Sequence, residues 1–187
     1  MPEPKTIYVN FFESIDPIKV KQLMALLSEI INKEKPDIIY CLFSSFGGNV
    51  DSGITLYNFI RSLPVKFVMH NTGSIDSIAN VIFLSANTRY TSIHSSFLFH
   101  GIVQNVNANA SLTKNTLQEW LSGINVSESK IAGIIAERTN LTTDEVKALF
   151  YQGEVKGTEY ALEKGIVSEI KNPVIPKDAL IISFNLP

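Results

Sequence analysis

Three short segments hold the side chains and backbone that serine nucleophilic catalysis requires. Ser45-Phe46-Gly47-Gly48-Asn49-Val50 follows an apolar run and brings two adjacent glycines. Gly73-Ser74-Ile75-Asp76-Ser77-Ile78-Ala79-Asn80 sets Ser77 between a loop and an apolar stretch. Phe97-Leu98-Phe99-His100-Gly101 ends a strand-like run on a histidine. Glycines without Cβ atoms let a ligand carbonyl approach backbone amides, a serine at a turn-to-helix junction is a nucleophile, and a histidine at a strand end is a base. Each segment also has a plainer reading: a tight turn, an N-cap serine, a histidine satisfied at the core's edge. Ser74 competes with Ser77, and His70 and His94 stand in weaker contexts. Asp76 reads as an N-cap or solvent-facing group, because consecutive side chains diverge. No aspartate stands out to orient His100.

The elements that must carry these segments alternate along the chain. Strands are expected over 6–11, 38–44, 65–70, 89–93, 96–103, 166–167 and 179–184. Helices are expected over 16–33, 53–63, 77–86, 112–138, 143–151 and 158–164. Asp16-Pro17 is an N-cap and first-turn pair, Thr142-Thr143-Asp144-Glu145 has capping-box spacing, and Gly165 suits a helix C′ position. The continuous apolar run over 38–44 suggests a parallel strand covered on both faces. Residues 104–111 read as a loop. This pattern predicts an α/β fold with a mostly parallel sheet, as one domain over 1–187. Ile38, Ile39, Leu42, Val81, Ile82, Leu84 and Phe97 are expected in the core.

Composition removes several classes of function. A chain of 187 residues, 45% hydrophobic, with net charge −2, carries no basic excess for nucleic acid or for an anionic membrane surface. The single cysteine, Cys41, permits no internal disulfide and reads as an inert core thiol. No metal-ligand spacing is present, so no metal and no cofactor are expected. The start of the chain lacks the pattern of a secretory signal and no apolar run is long enough to span a bilayer, so a cytoplasmic location is the expectation.

The order and context of the three segments resemble the ClpP peptidase family, within the wider ClpP/crotonase fold, over residues 7–170. The family's Ser-Pro-Gly-Gly-Ser-Val corresponds to Ser45 through Val50. Its Gly-Gln-Ala-Ala-Ser-Met corresponds to Gly73 through Ile78, and its Met-Ile-His-Gln-Pro to Leu98 through Ile102. Arg89 and the closing Ala161-Leu162-Glu163-Lys164-Gly165-Ile166-Val167 also resemble it.

The resemblance implies repeated ββα units with a long protruding handle helix over 112–138. It implies a serine endopeptidase with Ser77 as nucleophile, His100 as base, and the amides of Gly48 and Ile78 as oxyanion hole. Asn49 and Val50 would pair with an extended peptide or unfolded-protein substrate, with no cofactor. It implies a homo-oligomer of heptameric rings stacked face to face, with Trp120 and its neighbours at an interface.

Three departures stand out. The family's catalytic aspartate aligns near Gly153, leaving Glu154 as the nearest carboxylate to complete the triad. Phe46 replaces the proline before the glycines. The family's N-terminal extension, which helps dock an ATPase unfoldase, is largely missing, and this weakens the case for such a partner. The rival readings are an inactive scaffold subunit, a crotonase-type acyl-CoA enzyme, and a Ser–Lys dyad using Lys114 or Lys130.

Overall fold

The computed structural model describes residues 3–106 and 111–184. Residues 107–110 of the expected loop lie outside the described residues.

Strands β1 (Thr6–Phe11), β2 (Ile38–Ser45) and β3 (Lys66–Asp76) run parallel, with Thr6 beside Ile38 and Ile38 beside Lys66. Helices α1 (Pro17–Glu34) and α2 (Val50–Ser62) connect them, α3 (Ala79–Phe83) follows β3, and the three close one face. On that face Val9, Cys41, Phe43, Phe67 and Met69 meet Leu23, Leu27, Ile60 and Ile82. Asp16 starts α1 as expected, its Oδ1 accepting from the amides of Ile18 at 3.0 Å and Lys19 at 2.9 Å.

The opposite face is not the expected mirror image. There Ile38 and Tyr40 are only half-buried beside Tyr8, His70 and Tyr90. Of the expected core residues Ile38 is therefore the exception, because no helix of this face covers it, while Ile39, Leu42, Val81, Ile82, Leu84 and Phe97 are buried.

β3 is longer than its apolar run suggests, and it changes neighbours part-way. Val68–Asn71 pair with β4 (Thr88–Thr91), whereas Ser74–Asp76 pair with β5 (Ser96–Leu98). A register shift between Phe43 and Ser45 on β2 marks the same level. The sheet thus splits, and its upper half carries the polar segments away from the core.

Helix α4 (Lys114–Arg138) has 25 residues, about 37 Å at 1.5 Å per residue. Only its C-terminal part is buried, through Ile131, Ala132 and Ile135, while Leu117, Leu121 and Val126 are exposed. It protrudes as the handle helix was expected to. Helix α5 (Thr143–Gln152) starts in a complete capping box, with Thr142 N donating to Glu145 Oε2 at 2.7 Å and Glu145 N to Thr142 Oγ1 at 3.2 Å.

The chain's last strands fall slightly apart from the expectation. β6 (Val155–Lys156) runs antiparallel to β5, and helix α6 (Thr158–Glu163) follows it and ends before Gly165, which takes φ +67. Ile166 and Val167 are buried in the turn after α6. β7 (Glu169–Ile170) pairs with β4, and β8 (Leu180–Ser183) with β1. Among the described residues no helix is long and apolar enough to cross a membrane.

Candidate active site

The three polar segments converge because each leaves the carboxyl end of a parallel strand: Gly47-Gly48 after β2, Ser77 after β3, His100 after β5. Crevices at these ends are where open α/β sheets bind ligands. Gly48, Ser77, Ile78 and His100 line one cavity of about 210 Å³, walled by Phe46, Phe99, Ile131 and Phe150 among others.

The double glycine is required by a backbone crossing. Ile15, just after β1, bridges Gly48 in parallel fashion: Ile15 N donates to Gly47 O at 2.9 Å and Asn49 N to Ile15 O at 2.7 Å. In such a bridge the flanking residues make the bonds, so the N–H of Gly48 itself points away from Ile15. It is left for the cavity that Gly48 lines. Gly47 and Gly48 adopt φ +84 and +148, and a Cβ on Gly48 would sit 2.1 Å from the Ile15 carbonyl oxygen.

Ser77 is not an N-cap. The expected helix over 77–86 shrinks to Ala79–Phe83, and the residue preceding it, Ile78, makes no side-chain capping bond. Ser77 instead takes φ +58, a left-handed conformation that costs a residue with a Cβ about 1–2 kcal/mol. The turn is held on several sides: Ser77 N donates to Leu98 O at 2.8 Å, and the buried Asn80 side chain donates to Ser77 O at 3.1 Å and Leu98 O at 2.8 Å. A sharp turn of this kind after a strand thrusts a side chain out of the surrounding backbone. Asn80 was not singled out from the sequence. An asparagine inside an otherwise apolar run was the available signal.

His100 continues the alternation of β5. Phe97 and Phe99 are buried while Leu98 and His100 are half-buried on the other side. Its Nδ1 donates to the carbonyl of Gly101 at 2.7 Å. A carbonyl only accepts, so the proton resides on Nδ1 and the Nε2 lone pair is available as a base.

The carboxylates lie differently from expectation. Glu154 is turned outward with its side chain 66% exposed, and it pairs with Lys156 Nζ at 2.8 Å. Lys156 holds its pKa below the ordinary value, and His100 takes no part. Asp76, by contrast, feels His100. It lies in register with Leu98, so the side chains of Asp76, Leu98 and His100 share one face of the sheet. Burial pushes the Asp76 carboxyl up, and the nearby imidazole opposes that rise. Chain adjacency to Ser77 hides this neighbour, because it is set by register with the strand beside Asp76.

This placement makes a pH-dependent prediction. A carboxyl whose folded pKa is raised binds its proton more tightly when folded, so its contribution is most favourable below its unfolded value of 3.8 and declines as pH rises through the folded value. Asp76→Asn should therefore match the wild type in thermal stability near pH 3.5 and exceed it at pH 7. Melting curves across that range check this, and a mutant less stable at pH 7 refutes it.

Other expected participants are placed elsewhere. Ser74 Oγ is bonded to Ser96 Oγ at 3.1 Å across β3 and β5. Asn49 caps α2, its Oδ1 accepting from Ser52 N at 2.9 Å, and its own N–H and C=O are taken by Ile15 and Gly53. Its backbone is thus committed to the scaffold, contrary to the expected pairing with substrate. Val50 opens α2 and lines both the main cavity and an adjoining groove of about 510 Å³ that reaches Trp120 and Ile124 on α4. Lys114 and Lys130 are exposed on α4 and line neither space. His70 is a satisfied core histidine, bonded to Tyr40 Oη at 2.6 Å and to the Lys171 carbonyl at 2.9 Å. Burial pushes the Cys41 thiol up to about 12, which keeps it inert.

The family model described as Clp protease matches residues 6–173. The chain belongs to the Clp protease family. It is 27% identical over 139 residues to an ATP-dependent Clp protease proteolytic subunit 2 of Pseudomonas aeruginosa, covering 72% of this chain and 66% of that protein. A proteolytic subunit 2 of Treponema pallidum is 26% identical, covering 84% and 77%. A Clp protease proteolytic subunit of Bigelowiella natans is 28% identical, with the match spanning about half of that protein (54%). Among solved structures, a ClpP1 mutant from Listeria monocytogenes superposes with a TM-score of 0.70 at 21% identity, covering 90% of this chain and 92% of that one, which shows the shared fold.

In this Clp protease chain Gly153 is the glycine that ends α5, with φ +59 and its N–H donating to Leu149 O at 3.1 Å. A Cβ at Gly153 would meet nothing within 4 Å.

Proposed function

We propose that this chain is a serine-type endopeptidase. The observation that carries the reading is that a left-handed Ser77, His100, Gly48 and Ile78 line one cavity. Ser77 Oγ attacks the carbonyl carbon of a peptide bond while its proton passes to His100 Nε2. The resulting oxyanion accepts from the amides of Gly48 and Ile78. Collapse breaks the C–N bond, and the proton on Nε2 goes to the leaving amine. Water then enters, gives a proton to Nε2 and attacks the acyl carbon; the C–Oγ bond breaks and that proton returns from Nε2 to Ser77 Oγ. The groove from Val50 to Trp120 offers an extended peptide a polar path over about 510 Å³.

The exposed Leu117, Leu121 and Val126 on α4 support self-association, with heptameric rings stacked face to face as the arrangement proposed. Sedimentation velocity checks this, and a monomer at every concentration refutes it. An ATPase unfoldase would be needed only for folded substrates. Short peptides should be cleaved without one.

Mass spectrometry after treatment with a fluorophosphonate tests the chemistry. The expected adduct is on Ser77. Its absence in folded, assembled protein would favour the inactive scaffold. A complementary gain of function is expected at Gly153. Asp is among the residues that tolerate left-handed backbone, and the space is open. Gly153→Asp should fold and raise kcat, by roughly 10-fold or more if its carboxylate engages His100. An unchanged kcat in a stable variant would sink that alignment of the missing aspartate.

A further inference from the structure

The peptide unit between Gly101 and Ile102 is gripped at both ends. Its carbonyl accepts from His100 Nδ1 at 2.7 Å. Its N–H donates to Glu128 Oε1 at 3.0 Å, and Glu128 sits half-buried on α4. The preceding N–H, that of Gly101, is fixed separately on the Phe150 carbonyl of α5 at 3.1 Å. We infer that Glu128 acts on His100 through this peptide, as a positioning residue that replaces the missing triad aspartate. The inference rests on the proposed Ser77–His100 chemistry and deepens it.

Three physical points support it. The N–H and C=O of a trans peptide point in opposite directions in one plane, so anchoring the N–H on Glu128 aims the carbonyl at His100. An amide whose N–H is bonded to a carboxylate is polarised, which makes its carbonyl a stronger acceptor. The chain carboxylate, peptide, imidazole thus hands part of a negative charge to Nδ1, where a triad aspartate would hand it directly. Finally, Gly101 leaves room for this contact: a Cβ there would lie 2.9 Å from Glu128 Oε1, so the carboxylate would have to shift from its place on the Ile102 N–H. Glu128 was not singled out from the sequence.

Glu128→Ala and Gly101→Ala should each lower kcat for a fluorogenic peptide about 10- to 100-fold with KM within twofold of wild type. Glu128→Gln keeps an acceptor of the same reach and should recover part of the loss. Histidine-selective 15N NMR, with His100 assigned through His100→Gln, gives a readout independent of turnover. Wild-type His100 should carry its proton on Nδ1, and Glu128→Ala should populate both tautomers. A wild-type Nε2–H tautomer overturns the inference. So does a Glu128→Ala protein whose tautomer is unchanged, whether kcat stays the same or falls only as folded protein falls. If wild-type Ser77 takes no fluorophosphonate while the tautomer still depends on Glu128, the peptidase reading fails and the Glu128 relay stands.

Discussion

Ser77→Ala should reduce peptide cleavage by about 10⁴- to 10⁶-fold and abolish fluorophosphonate labelling. The size follows from what is left behind. Without Oγ, no acyl-enzyme forms, and His100 and the amides of Gly48 and Ile78 can only assist direct attack by water. The fold should survive, because Ser77 Oγ is no N-cap and the turn is held by Ser77 N, Ser77 O and the Asn80 side chain. Ser77→Gly sharpens the same experiment. At φ +58 glycine carries no Cβ penalty, so this variant should be inactive yet more stable by about 1 kcal/mol. Denaturant unfolding alongside a peptidase assay reads both effects. An inactive but destabilised Ser77→Gly would mean that the turn is not strained, and residual cleavage in Ser77→Ala above about one part in 10³ would mean that Ser77 is not the nucleophile.

Gly48→Ala should be the most damaging single methyl in the chain. Its Cβ would lie 2.1 Å from Ile15 O and 3.0 Å from Ile15 C, both backbone atoms, at φ +148 where residues with a Cβ are strained. The chain has no soft side chain to give way, so the Ile15–Gly48 bridge must break. The loss should exceed about 4 kcal/mol, the range reserved for a named structural fault. Lost stability here also means a lost oxyanion donor, since the same bridge turns the Gly48 amide toward the cavity. Removing one such donor alone costs about 10²–10³ in kcat. The expected result is little soluble protein and, in what remains, no labelling of Ser77. A well-folded, active Gly48→Ala would show that the bridge is dispensable. Gly123→Ala is the control, since its Cβ meets nothing within 4 Å on α4.

Most of the scaffold and the three segments are legible in the amino-acid sequence. Apolar periodicity, Asp16-Pro17, the Thr142–Glu145 box and Gly165 act locally, within a few residues, so they can be read without a fold. Gly47-Gly48, Ser77 and His100 can likewise be placed from the pattern, because each follows a strand end that the pattern locates.

Relations between residues distant in the chain emerge only once the chain is folded. The change of partner along β3 lengthened that strand and shortened the helix after Ser77, leaving Ser77 in a left-handed turn and not at a helix start. Register across β3 and β5 set Asp76 beside His100, a neighbour that chain adjacency to Ser77 concealed. Lys156 drew Glu154 outward, a choice fixed by β6 pairing with β5. The hydrogen bonds that orient His100 run through a backbone carbonyl to a carboxylate on α4, which has no side-chain signature at either peptide atom. A carbonyl's direction is set by what grips its peptide, and that depends on which helix packs against the loop.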